Sequence, residues 1–326
     1  MPTVINAPPG APDSMIGHSW FVDDQQVAFA VPPFVAGAVS VSAYLSPWLI
    51  NAGHNSQNLR PGICIRDEQV TVCLMNQALE FLQRAICNTV GHYILAQRGL
   101  ETWARVTNYY ASYFSVHSLL CLQGRTITSL ELGNSRLLVQ IVPLDLRNHV
   151  FYITGRNLGR NPHHETPWNR FYDIYDKYAV SHPAYELVAR KAFITEPADE
   201  SIERNTINYM PFRGFTEIRD LQRHGEFSVR FSDYVSDLEA KNSLQEFLTD
   251  LQGYASDPEH KYFARTLLKI AFAGDIISSI RVVSGPLEVE WTAMREKWGQ
   301  FLEAIFRDPN TCYLLKFVPL IGTALN

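Results

Sequence analysis

The run Asn108-Tyr109-Tyr110-Ala111-Ser112-Tyr113-Phe114-Ser115-Val116-His117-Ser118-Leu119-Leu120 constrains this chain more than any other stretch. Bulky rings stand beside small residues. Tyr109 or Tyr110, Tyr113 and His117 recur at three- and four-residue steps, which on a helix is one face. Ala111, Ser112 and Ser115 leave room for a second helix to come close. An apolar helical pattern precedes this run, from about 73 to 97, and Arg98-Gly99 breaks it. The helix that follows is expected from Glu101 to Leu122, with Gly124 in the position just past its end. Two such helices joined by a short break predict an antiparallel helical bundle.

The pattern then changes. Residues 126–132, 137–142 and 150–154 are rich in β-branched and apolar residues, separated by Gly133-Asn134 and by a Pro/Asp/Asn segment. Strand, turn, strand, turn, strand is a small antiparallel meander inside an otherwise helical chain. Residues 62–72 alternate weakly, as a short strand would. Beyond a polar loop at 155–167, an aromatic helical region covers 168–193, and Pro197-Ala198-Asp199-Glu200 opens a further helix. Helices are expected over 233–252, 257–283 and 286–306. The resulting fold class is mainly α, with an N-terminal arm at 1–71, a helical domain at 72–231 holding the β insertion at about 125–155, and a C-terminal helical extension at 232–326.

A net charge of −5 over 326 residues excludes a bulk electrostatic grip on nucleic acid, though not a local basic groove. The five cysteines (Cys64, Cys73, Cys87, Cys121, Cys312) are odd in number and form no C-x-x-C pair. Cys87 and Cys121 lie in apolar helical runs and are expected to be buried free thiols, in a reducing cytoplasm. No secretory leader is expected, since the first Lys or Arg is Arg60. From Gln25 to Leu59 there is no charged side chain. A membrane span fits that length, but Pro32, Pro33, Pro47 and the lack of basic flanks favour an arm packed on the bundle.

The Tyr-Tyr-Ala run ending in Leu119-Leu120, with the apolar helix before it, resembles the second helix of HEPN domains. These are helical bundles; many are metal-independent RNases or toxins, and others serve only as interaction modules. The resemblance implies a homodimeric endoribonuclease of the toxin or antiviral-defence kind, acting on RNA with no metal and no cofactor. Family nucleases use an Arg, a polar residue after it, and a His four to six residues on. Cleavage by the RNA's own 2′-hydroxyl needs a proton-transfer group near the sugar and a cation near the phosphate, and these two side chains supply them.

Glu203-Arg204-Asn205-Thr206-Ile207-Asn208-Tyr209 is similar to that signature in register, but Tyr209 stands where His is expected. A phenol with a pKa near ~10 is a poor base at neutral pH. The alternative for Arg204 and Asn205 is a polar clamp tying helices together. Arg219-Asp220-Leu221-Gln222-Arg223-His224 has the full spacing, with Gly225 as a stop; the alternative is a charged helix end. Arg156-Asn157 to His163 has it too, in a loop. With 21 Arg and 10 His, chance placement alone gives about two such spacings. The resemblance therefore assigns the phosphate to Arg204, its orientation to Asn205, and the proton to His224 or Tyr209, with Arg219 in the second motif. A module that no longer cleaves, and serves dimerisation or a partner protein, is the competing expectation.

Other signals are bland. His163-His164-Glu165 has no second cluster at ligand spacing. Asp173 and Asp176 read as a polar helix face. Trp168, Phe171, Tyr172, Tyr175 and Tyr178 form a stripe at helical spacing, which is usually core. No phosphate-binding or dinucleotide-binding glycine loop and no nucleophile elbow is present.

Overall fold

The computed structural model describes residues 2–5, 39–146, 148–155, 165–178, 199–209, 221–240 and 260–281, with single positions between 246 and 300. Within them the protein is mainly helical with one antiparallel five-stranded sheet. The order is β1 (Thr3–Ile5), α1 (Val41–Asn51), α2 (Ser56–Leu59), β2 (Ile63–Arg66), α3 (Glu68–Gln97), α4 (Glu101–Leu122), β3 (Thr126–Leu132), β4 (Ser135–Asp145), β5 (Val150–Thr154), α5 (Glu165–Tyr178), α6 (Asp199–Tyr209), α7 (Leu221–Glu239) and α8 (Lys261–Arg281). The chain divides into a sheet unit (1–81, 116–182, 279–288) and a helical unit (82–115, 183–278, 289–326), and α3 and α4 contribute residues to both.

The ends of α3 and α4 follow from local chemistry. Asp67 caps α3: its Oδ1 accepts from Gln69 N at 2.8 Å, and its Oδ2 accepts from Tyr44 OH at 2.7 Å. The helix therefore starts at Glu68, earlier than the apolar pattern indicated, and the strand expected over 62–72 is confined to β2. Both helices end on a left-handed glycine. Gly99 (φ +71) and Gly124 (φ +73) each sit between a pair of backbone bonds, Gly99 N to Ala96 O with Leu100 N to Leu95 O, and Gly124 N to Cys121 O with Arg125 N to Leu120 O. The helices run antiparallel: Ser118 Oγ donates to Ala78 O, and His92 Nδ1 to Ala104 O.

In the sheet unit the strand order is β1-β2-β5-β4-β3, all antiparallel. The expected meander is present as β3-β4-β5, but it is not a separate insertion. β2 pairs with β5 (Cys64 opposite Tyr152) and β1 with β2 (Val4 opposite Ile65). Leu137, Val139 and Ile141 alternate into the core from β4, and Phe151 and Ile153 from β5. The outer edge strand β3 is covered by α1. Ser42 Oγ donates to Ser129 O at 2.5 Å, and Ser46 Oγ, one turn on, accepts from Glu131 N at 3.0 Å. Two hydroxyls thus occupy backbone groups that an edge strand would otherwise present to another chain. So the last part of the uncharged 25–59 segment is a sheet cover eleven residues long. No described helix is long and apolar enough to cross a membrane. Trp168 and Phe171 of α5 are buried, as their spacing indicated.

Two expectations are corrected. Cys121 is buried, and burial pushes its thiol up to about 12, but Cys87 is exposed. It shares the outward face of α3 with Arg84 and Glu80, one and two turns earlier. Gly225 does not stop a helix: α7 runs through it, with open space where a side chain would stand. An interior glycine costs about 1 kcal/mol, which the buried stripe Phe227, Phe231, Tyr234 and Leu238 offsets. The expected helix over 286–306 lies outside the described residues except for single positions.

Candidate functional site

The site belongs to the helical unit and is built from five helix faces. On α4, Arg105, Asn108, Tyr109 and Ser112 fall at i, i+3, i+4 and i+7, so they form one stripe. The tyrosine ladder continues along it, with ring centroids of Tyr109 and Tyr113 6.2 Å apart and stacked. Burial, with Tyr109 and Tyr110 adding to it, pushes the Tyr113 phenol up to about 12. From α6, Glu200 and Arg204 are one turn apart.

Arg204 is half-buried, its guanidinium carbon 5.7 Å from the Tyr109 ring centroid and 5.9 Å from that of Tyr110. Its Nη2 donates to Tyr110 OH at 3.1 Å and its Nη1 to Asn205 Oδ1 at 2.9 Å. The late-helix arginine therefore does meet the Tyr-Tyr helix. Two ring faces and two hydrogen bonds hold it in one orientation.

Glu200 is not Arg204's clamp. Its Oε1 accepts from Lys269 Nζ of α8 at 2.5 Å, and Nζ also donates to Ser112 Oγ at 2.7 Å. Lys269 has no solvent exposure, and burial holds its ammonium below the ordinary lysine range against the pull of Glu200. The small residues of α4 thus admit a charged tether and not only an apolar helix.

His92 of α3 completes the wall. Its Nδ1 lies 2.7 Å from Ala104 O; a carbonyl only accepts, so Nδ1 carries the proton and Nε2 a lone pair. Its ring packs against Phe263 (4.3 Å) and edge-on to Phe231 (5.3 Å). Burial lowers its pKa to about 4, so the imidazole is neutral at physiological pH.

These residues line one cavity together with Phe227, His260 and Tyr262, with an empty volume of about 540 Å³ including its open mouth. Three residues of its lining each keep a buried acceptor atom without a hydrogen-bond partner: His92 Nε2, Asn108 Oδ1 and Glu200 Oε2. In chemical terms the cavity offers acceptors and aromatic faces within, with Arg105 and Arg204 on its lining.

The positions singled out in the sequence fare unequally. Arg204 lines the cavity; Asn205 is exposed and bound to Arg204. Tyr209 is the last residue of α6 and His224 lies in the first turn of α7, so both are on helices of this unit. Arg219, Arg156, Asn157, His163 and His164 lie outside the described residues. No group of three metal-ligating side chains occurs among the described residues. Sequence reasoning missed His92, Asn108, Glu200 and Lys269. The one available signal was Lys269, a lone cation between Leu268 and Ile270 in an apolar helix. Comparison with known proteins finds no matching family model, no matching curated protein and no matching solved structure.

Proposed function

We propose that the helical unit is a HEPN-like module acting on RNA, with Arg204 as the residue that meets phosphate. The observation that carries this reading is the Arg204 cradle. A guanidinium fixed over Tyr109 and Tyr110, on a cavity that Arg105 also lines, is a preorganised local cation in a chain of net charge −5. In the cleaving form of this reading the protein is a metal-independent endoribonuclease of two facing protomers. Arg204 holds the scissile phosphate, and His224 or Tyr209 handles the proton.

The non-cleaving module is favoured by two specific details. Asn205, the residue expected to orient the phosphate, has its Oδ1 on Arg204. Of the two imidazoles that line the cavity, His92 is held near pKa 4 and is a weak base. The test is a binding and cleavage assay on single-stranded RNA in EDTA, comparing wild type, Arg204→Ala and His224→Ala. Binding that weakens about tenfold in Arg204→Ala with the helical circular-dichroism signal intact supports the reading. Metal-free cleavage lost in the same variant selects the nuclease, and binding without cleavage selects the module. RNA binding that is absent in wild type, or unchanged in Arg204→Ala, overturns it.

A further inference from the structure

We infer that the cavity of the helical unit is a guanine-reading pocket, in which His92 Nε2, Asn108 Oδ1 and Glu200 Oε2 accept from the N–H edge of the base. This deepens the RNA reading by naming the base, and it rests on that reading for the attached phosphate, which Arg204 meets.

The argument begins with what is unfinished. His92, Asn108 and Glu200 are each 4% exposed, and each keeps a buried acceptor without a partner. A buried polar atom left unpaired costs about 1–3 kcal/mol, so three on residues of one lining are a concentrated penalty that a bound donor removes. All three are acceptors, so the occupant must donate. The walls between them are Phe227, Phe231 and Phe263, so it must also present apolar faces. A cation is disfavoured: Arg204 lines the cavity beside Arg105, which is itself ion-paired with Glu101, and Lys269 already stands on Glu200. What remains is a neutral, planar, donor-rich ring whose attached anion finds the arginines, and that is a nucleotide. Among the bases, guanine carries three N–H on one edge (N1–H and the 2-amino group). Adenine and cytosine carry the two of a single amino group, and uracil one. Only guanine matches three acceptors without leaving one bare.

The test is calorimetric titration of the full chain with GMP, with inosine monophosphate (which keeps N1–H and lacks the amino group), with AMP and with inorganic phosphate. Wild type and Asn108→Leu are compared, with urea unfolding of both. Titration with UUGUU and UUAUU then separates a base within RNA from a free nucleotide. The expected result is GMP binding about tenfold or more tighter than inosine monophosphate and AMP, and no saturation with phosphate alone. Asn108→Leu is expected to weaken GMP about tenfold without lowering the urea midpoint. The GMP-to-inosine ratio is read on wild type, so the inference is testable even where the variant misfolds. Equal affinity for GMP and AMP, no GMP binding, or full competition by phosphate overturns it. RNA binding with no guanine preference removes the pocket and leaves the RNA reading standing. GMP selectivity without RNA binding does the reverse.

Discussion

The two units differ in what surrounds their buried polar groups. In the sheet unit these groups are tied into the fold. Gln77 accepts from Val41 N and donates to Thr126 Oγ1, Thr71 meets His149 Nδ1, and Ser42 and Ser46 close the edge of β3. In the helical unit three unpartnered acceptors belong to residues that line one cavity, beside a buried ion pair and a neutral imidazole. Completed polar networks specify a structure; incomplete ones gathered in one place mark where something else is to be bound.

The comparison is sharpest at Lys269. Lys269→Met leaves Glu200 buried without its cation, and the expected loss is about 3–5 kcal/mol in urea unfolding. Pairing it with Glu200→Gln is expected to restore most of that stability. Equal losses in the single and double variants would mean that the pair is not the charge balance the geometry indicates.

Next is pH. His92 titrates at 6.5 when free and at about 4 when folded. Between these values the unfolded chain binds a proton that the folded chain refuses. Its contribution, about 3 kcal/mol, is therefore complete above 6.5 and lost as pH falls toward 4. Urea midpoints measured across this window are expected to rise with pH, and His92→Gln to flatten that rise.

In the sheet unit the double variant Ser42→Ala, Ser46→Ala is expected to cost about 1–2 kcal/mol and to promote association through the bared β3 edge, read by light scattering. The smallest effect belongs to Asn205→Ala. Its side chain is exposed, so stability is expected to change by less than about 0.5 kcal/mol. A larger loss would show that Arg204's partner also supports the fold.

What was legible in the sequence is what depends on near neighbours. The bounds of α4, its glycine stop, the Gly133-Asn134 hairpin and the mainly helical class with a small meander all rest on spacing or on a turn residue. The HEPN-specific fold remains part of the proposal. What was not legible depends on partners far along the chain. β2 was read as weak because its pairing with Phe151 and Tyr152 carries no local signal. α1 was read as an arm packed on the bundle, but nothing local in the sequence says that its serines bind β3. Glu200 and Lys269 stand 69 positions apart, and each alone reads as a surface charge. Arg204 was found through its place relative to the tyrosines. His92 was passed over because a histidine in an apolar helix is ordinarily just packed.

The strand order also has a consequence for how the chain matures. β1 and β2 are made early, yet β2's other neighbour, β5, lies beyond both long helices and the β3-β4 hairpin. A two-stranded ribbon is marginal in water by itself. During synthesis the N-terminal strands thus wait with one edge open until residues 150–154 leave the ribosome, while α3 and α4 can already pair. The helices are a fast, local event, and the sheet is a slow one that closes across more than half of the described chain. Closure of the β2 edge therefore comes later along the chain than the pairing of the two long helices.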